Sequence, residues 1–199
     1  MIDIRPATEH EMIAAFLQAE IRSSRFQVYF PPDLGAYHPR GRALIEAPNF
    51  KDAAENAARR TLLGYRGYPD TALFHGFPVN VTWHLVRLEL QDFARMRCAA
   101  EQSLVALSGA PRLVSDAAHT FEAGGPVAAP FQQIWGVIAA LRAGVGFAPL
   151  IAEQEADGSL ILVEGHSRAI AYEITGLRDN VQAFIARAPT FAGWGYHGA

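Results

Sequence analysis

Ser159-Leu160-Ile161-Leu162-Val163-Glu164-Gly165-His166-Ser167-Arg168-Ala169-Ile170-Ala171-Tyr172 reads as a buried strand that turns sharply into a helix. Leu160 to Val163 is an unbroken aliphatic run, Gly165 permits a tight turn, and Ala169 to Tyr172 has the composition of a packed helix. The turn itself is Glu-Gly-His-Ser-Arg. A helix N-terminus carries unpaired backbone N–H groups and the positive end of a dipole, so it receives anions, and Ser167 and Arg168 can add side-chain donors. Phosphate is the natural guest. His166 can donate a hydrogen bond or exchange a proton near neutral pH. Glu164 would repel phosphate unless a metal or a hydroxyl substrate stood between them. A structural reading stays open beside this one: Ser167 is a good N-cap, and Glu164 can simply pair with Arg168 across the turn.

Working outward, Phe147 to Ile151 reads as a strand, Asp157-Gly158 as a turn, and Leu160 to Val163 as the antiparallel partner. Phe131 to Leu141 has the apolar spacing of an amphipathic helix that Gly144 ends. Beyond the opening stretch, Gly176 and Arg178-Asp179-Asn180 form a break, and Val181 to Ile185 a further strand.

Nearer the N-terminus, Thr8-Glu9-His10-Glu11 has the capping-box pattern, which predicts a helix over 8–22. Its far end, Glu20-Ile21-Arg22-Ser23-Ser24-Arg25-Phe26, is either an active-site rim with Glu20 as its acid or a solvated helix end. Proline and glycine are too dense over 30–48 for regular structure. A helix is expected from Asn49 or Phe50 to Leu63, capped by Asn49. Tyr65 and Tyr68 flank Arg66 in the break that follows, placed to stack on a ring or to pack on their own domain. A strand is expected over 81–90, then one helix through Phe93, Met96, Ala100, Leu104 and Leu107 to Ser108-Gly109. Arg112 and Asp116 stand on the next loop as candidate site residues or as a loop-fastening ion pair. Residues 120–130 read as a flexible connection suited to a lid, and the aromatic, glycine-rich tail from Phe191 to Ala199 as a fraying terminus, with folding back over the domain as the alternative.

At 199 residues, half of them hydrophobic, the chain suits one domain. The net charge of −3 weighs against coating nucleic acid or an anionic membrane. Lys51 is the only lysine, so positive charge is almost all guanidinium, the group suited to phosphate and carboxylate. Cys98 is alone, which excludes an intrachain disulfide and any multi-cysteine metal site. A cytoplasmic, non-membrane protein is the expectation, with no signal-type segment and no apolar run of spanning length.

The strand, the Glu164-Gly165-His166-Ser167-Arg168 turn, the helix to Tyr172 and the strand over Val181 to Ile185 together resemble the core of the ParB/sulfiredoxin-like superfamily. The likeness covers about 147–187, under a quarter of the chain. It implies an α+β fold: a small mixed sheet as the core over 146–188, a mainly helical elaboration over 1–145, and the tail over 189–199. It also implies that Gly165, His166, Ser167 and Arg168 hold the phosphates of a nucleotide (ATP, ADP or CTP, with Mg2+), and that Glu164 matches an acid found before that glycine. The turn has no cysteine, so sulfinic-acid repair is not expected. The downstream helix-turn-helix of a partition protein is not expected either, since the sequence stops soon after the core. The resulting expectation is a nucleotide-binding protein that transfers a phosphoryl group to a small hydroxyl acceptor. Glu164, His166, Glu20 and Arg112 are the candidate catalytic residues. The alternative is a non-catalytic, nucleotide-responsive or DNA- or protein-binding regulator.

Overall fold

A computed structural model describes residues 1–31 and 33–198. Pro32, expected in the loop over 30–48, and the tail's last residue, Ala199, lie outside the described residues. The elements in order are β1 (Ile2–Ala7), α1 (Glu9–Glu20), α2 (Ser24–Tyr29), α3 (Ala43–Glu46), α4 (Ala53–Leu63), β2 (Thr82–Arg87), α5 (Leu90–Phe93), β3 (Met96–Arg97), α6 (Gln102–Ser108), α7 (Val114–Ala123), α8 (Gln133–Arg142), β4 (Leu150–Gln154), β5 (Leu160–Glu164), α9 (His166–Thr175) and β6 (Gln182–Arg187). The described strands form one mixed six-stranded sheet in the order β1-β2-β6-β4-β5-β3. The β6–β4 and β5–β3 pairs are parallel and the others antiparallel. The fold is α+β, as expected.

The expected hairpin is present, with β4 and β5 antiparallel. Residues 150–152 and 160–163 are all buried, because neither strand lies at an edge and helices cover the sheet. Helix α9 packs against α7 and α8. In α1, the Thr8 hydroxyl accepts the Glu11 N–H and the Glu11 carboxylate accepts the Thr8 N–H, the reciprocal box that the sequence announces. Met12, Ile13, Phe16 and Leu17 then enter the core.

Several expectations need correction. The cap of α4 is Asp52, whose carboxylate accepts the N–H groups of Ala54 and Glu55; Asn49 instead accepts the Lys51 N–H in a local turn. The single helix expected over 91–108 is broken. Met96 and Arg97 pair with Leu160 and Ile161, the Cys98 N–H goes to the Arg112 carbonyl and the Ala99 N–H to His166, so distant partners take the donors a helix would have used internally. The stretch read as a flexible connection begins in α7, with Val114, Ala117, Ala118 and Phe121 buried on one face. The first 145 residues carry α1 to α8, and within them β1, β2 and β3 supply half of the sheet.

The tail does not fray. Phe191 and Trp194 are 3 % and 2 % exposed. The Trp194 indole N–H donates to the Leu73 carbonyl at 2.7 Å, and the Tyr196 carbonyl accepts the Ala100 N–H at 2.7 Å. Among the described residues no helix is long and apolar enough to cross a membrane.

Candidate functional site

Strand β5 ends at Glu164, and Gly165 turns the chain with φ of +103°. A Cβ at Gly165 would lie 2.5 Å from Leu150 Cδ2 and 3.0 Å from Arg168, so the turn demands glycine twice over, by conformation and by space. Helix α9 then starts at His166 with no side-chain cap among the described residues, which leaves the N–H groups of its first turn unserved by a capping side chain.

Arg168 points inward rather than toward a ligand. Its Nη1 donates to the carbonyls of Pro149 (3.1 Å) and Ala148, and its Nη2 to Glu164 Oε1 at 3.1 Å. With the side chain 8 % exposed, the guanidinium clamps the entrance of β4 to the turn. The pairing of Glu164 with Arg168, open on sequence grounds, is what the fold contains. Ser167 is not a cap either; its hydroxyl accepts from Gln133 Nε2 on α8 at 3.3 Å.

His166 Nε2 accepts the Ala99 N–H at 3.1 Å. The neutral ring must therefore carry its proton on Nδ1, a donor with no partner among the described residues. Burial, with smaller contributions from Arg25, Arg168 and Arg66, pushes the imidazole down to about 4, against a weaker pull upward from Glu101. It is uncharged at neutral pH.

A cleft of about 300 Å³ opens beside this helix end. Its polar lining is Arg25, Arg66, Glu101, Glu164, His166 and the two tyrosines Tyr65 and Tyr196. Glu20 stands behind the wall, 3 % exposed, and both of its oxygens are engaged: Arg25 donates to Oε1 at 2.8 Å, and Ser23 and Tyr65 donate to Oε2 at 2.9 and 2.8 Å. Burial and the adjacent Glu20 hold the Tyr65 hydroxyl well above its usual range, so it stays a donor. Glu101 caps α6, and its hydrogen bonds from Ser103 and Leu104 hold its carboxyl below the usual range even though burial alone would raise it.

The formal charges on the cleft lining balance, two arginines against two acids, but their lone pairs and donors do not. Glu101 is spent on α6 and one Glu164 oxygen on Arg168. Arg66 has no carboxylate partner among the described residues; its Nε is buried without a hydrogen bond, and its guanidinium lies 6.0 Å from the Tyr65 ring centroid. An unneutralised guanidinium and His166, the first residue of a helix with no side-chain cap, therefore line one cavity. That combination fits a phosphate group. For a magnesium ion the cleft offers only Glu164 Oε2, the one oxygen of these three glutamates without a hydrogen bond among the described residues. This suits an ion held mainly by water and by the ligand's own phosphates.

The structure thus places Glu164 and His166 on the cleft and Glu20 behind its wall, leaves Gly165, Ser167 and Arg168 off the cleft lining, and places Arg112 elsewhere. Arg112, with φ of +70°, donates to the Cys98 carbonyl at 2.9 Å and the His197 carbonyl at 2.7 Å, a strap under the tail. Cys98 is buried and its thiol is pushed up to about 12 by desolvation, so it is packing. Arg25 and Arg66 sat in stretches already singled out. Glu101 and Tyr196 carried no signal of their own, because the contact that brings them here is the break after β3 and the folded tail. No protein-family model matches this chain, and no curated protein or solved structure matches it.

Proposed function

We propose that this protein binds a small phosphorylated ligand, a nucleotide such as ATP, ADP or CTP, in the cleft at the start of α9. The observation that carries the reading is Arg66, a guanidinium with no acid partner among the described residues, in a cavity also lined by His166, the first residue of a helix without a side-chain cap. Helix start and guanidinium act together on an anion, one through oriented N–H groups and the other through charge. The cavity volume, about 300 Å³, sits at the lower end of the roughly 300–1,000 Å³ of small-molecule sites.

Phosphoryl transfer to a small hydroxyl acceptor is the reaction for which the cleft holds parts. Glu164 Oε2 is placed to accept the hydroxyl proton, the His166 Nδ1–H to hold an oxygen of the ligand, and Arg66 to offset charge that builds up on the transferred group. Magnesium, when bound, would be held by Glu164 Oε2 and would supply charge neutralisation for the phosphates. Glu20 serves as a positioning residue that fixes Arg25 and Tyr65. The Glu164–Arg168 ion pair favours a second reading, a non-catalytic nucleotide-responsive module, because it withdraws half of the candidate base. A cytoplasmic setting goes with either reading, and the charge of −3 keeps nucleic acid the less favoured partner.

Calorimetric titration of ATP, ADP and CTP into the full chain tests the proposal. Arg66→Ala is expected to weaken nucleotide binding at least about tenfold, the loss of one charge-assisted contact, with an unchanged unfolding midpoint. Equal affinity in the variant, or no heat from any nucleotide with the parent chain, overturns it. Release of ADP in the presence of a hydroxyl acceptor, lost in Glu164→Gln, separates transfer from mere binding.

A further inference from the structure

We propose that Glu153, Glu155 and His197 form a site for one divalent transition-metal ion of the zinc class, which fastens the C-terminal tail to β4. The three side chains bring one donor atom each to within 4.8 Å of one another. Glu153 is fully buried on an interior strand, and its partners across the sheet are Ile161 and Ala186. His197 Nδ1 lies 2.8 Å from Glu153 Oε1 and 3.3 Å from Glu155 Oε1.

The independent observation is Glu153 Oε2, a buried carboxylate oxygen with no hydrogen-bond partner among the described residues. Such an atom loses water and gains nothing in return, and native interiors rarely leave one so. Desolvation accordingly lifts the Glu153 carboxyl to about 7. A metal ion bound by both oxygens of the Glu153 carboxylate supplies the missing partner. In tetrahedral coordination with bonds of about 2.0–2.1 Å, neighbouring ligand atoms stand about 3.3 Å apart. The His197 distances of 2.8 and 3.3 Å need to open by about half an ångström at most, and with all three donor atoms within 4.8 Å of one another the two carboxylates draw together as the ion enters. Two carboxylates match the charge of a divalent ion, and imidazole with carboxylate is a donor set that zinc accepts and magnesium does not favour. The His197 Nδ1 proton passes to solvent as the metal takes its place.

Two arginines temper the affinity. Arg97 is held by Ser159 at 3.1 Å, and Arg112 by the Cys98 and His197 carbonyls; both act on Glu153 or Glu155 through space without hydrogen-bonding to them. Binding is therefore expected on the order of micromolar rather than at the strength of an all-cysteine structural site. Tyr196, the residue before His197, lines the cleft, so the metal would also steady a wall of that cavity. That last consequence rests on the cleft being the ligand site; the metal site does not.

The test is calorimetric titration of zinc chloride into metal-stripped full-length protein, paired with thermal unfolding in zinc and in EDTA. One zinc per chain is expected, with a rise in unfolding midpoint in zinc. His197→Ala and Glu155→Gln should each weaken binding at least tenfold and abolish the rise. If His197→Ala loosens the tail in EDTA, Glu155→Gln decides alone, since its side chain is partly exposed. Absence of saturable binding overturns the proposal. So does wild-type affinity in the deciding variant, which would assign the zinc to other histidines.

Discussion

Arg168 and Arg66 carry the same side chain and do opposite things. Arg168 lies in the turn that the sequence marks out, yet its donors go to two carbonyls and a carboxylate of its own fold. Arg66 lies in a break between elements and keeps its charge for the cavity. Arg168→Ala should therefore cost about 3 kcal/mol of stability, because it leaves a largely buried acid and two carbonyls unserved, whereas Arg66→Ala should stay within about 0.5 kcal/mol of the parent. Urea unfolding of the two variants checks this contrast. Gly165→Ala should lose about 2 kcal/mol through its left-handed backbone and the contact with Leu150. His166 titrates at about 4 in the folded chain against 6.5 for the ordinary group. Between those values the unfolded chain binds more protons, so stability falls as pH drops from 6.5 toward 4. Relative to His166→Gln the full loss is about 3 kcal/mol, with none at pH 7.5. Unfolding curves for both proteins across that range measure it. The turn was legible in residue types, since a glycine between an acid and a helix start is a local pattern. The direction in which Arg168 points was not, because it depends on carbonyls that another strand brings close.

Elements set by local chemistry were readable, and elements set by distant pairing were not. The capping box of α1, the β4–β5 hairpin and the glycine stops of α8 and α9 follow from neighbours in sequence. Strand β3 interrupts an apolar periodicity that reads as helix, because Met96 and Arg97 find their partners more than sixty residues away. The exposed edge strand β1 has an open face and little alternation to announce it. The tail is the clearest case. Its glycines suggested fraying, but Trp194 fills a gap beside Phe77, their rings edge-on at 5.5 Å, and ties its indole to Leu73. Trp194→Ala should cost about 3–5 kcal/mol, the range for emptying a large aromatic site, and should release Tyr196 from the cleft wall. Chemical denaturation, together with the susceptibility of residues 190–198 to carboxypeptidase, reads both effects.

At the scale of the whole molecule, strand and helix patterns taken with the family resemblance carried the α+β class, while strand order needed the coordinates. Strand β6 joins β4 to β2, and β5 carries β3, so the segment over 146–188 sits in the middle of a sheet completed by the N-terminal part. Expressed alone it would expose two strand edges and the apolar faces beneath α7 and α8, and it is expected to show no cooperative unfolding by circular dichroism. The cleft has the same composite origin. Its walls come from α2, the turn after α4, the start of α6, α9 and the tail, which explains why residue motifs in one segment revealed only part of it. The decisive measurement is a crystal structure of the full chain grown with saturating ATP, ADP or CTP. Phosphate oxygens are expected within hydrogen-bond distance of the Arg66 guanidinium and the N–H groups of the first turn of α9. Nucleotide density at another surface, or an empty cleft at saturation, would contradict the assignment of this cavity as the ligand site.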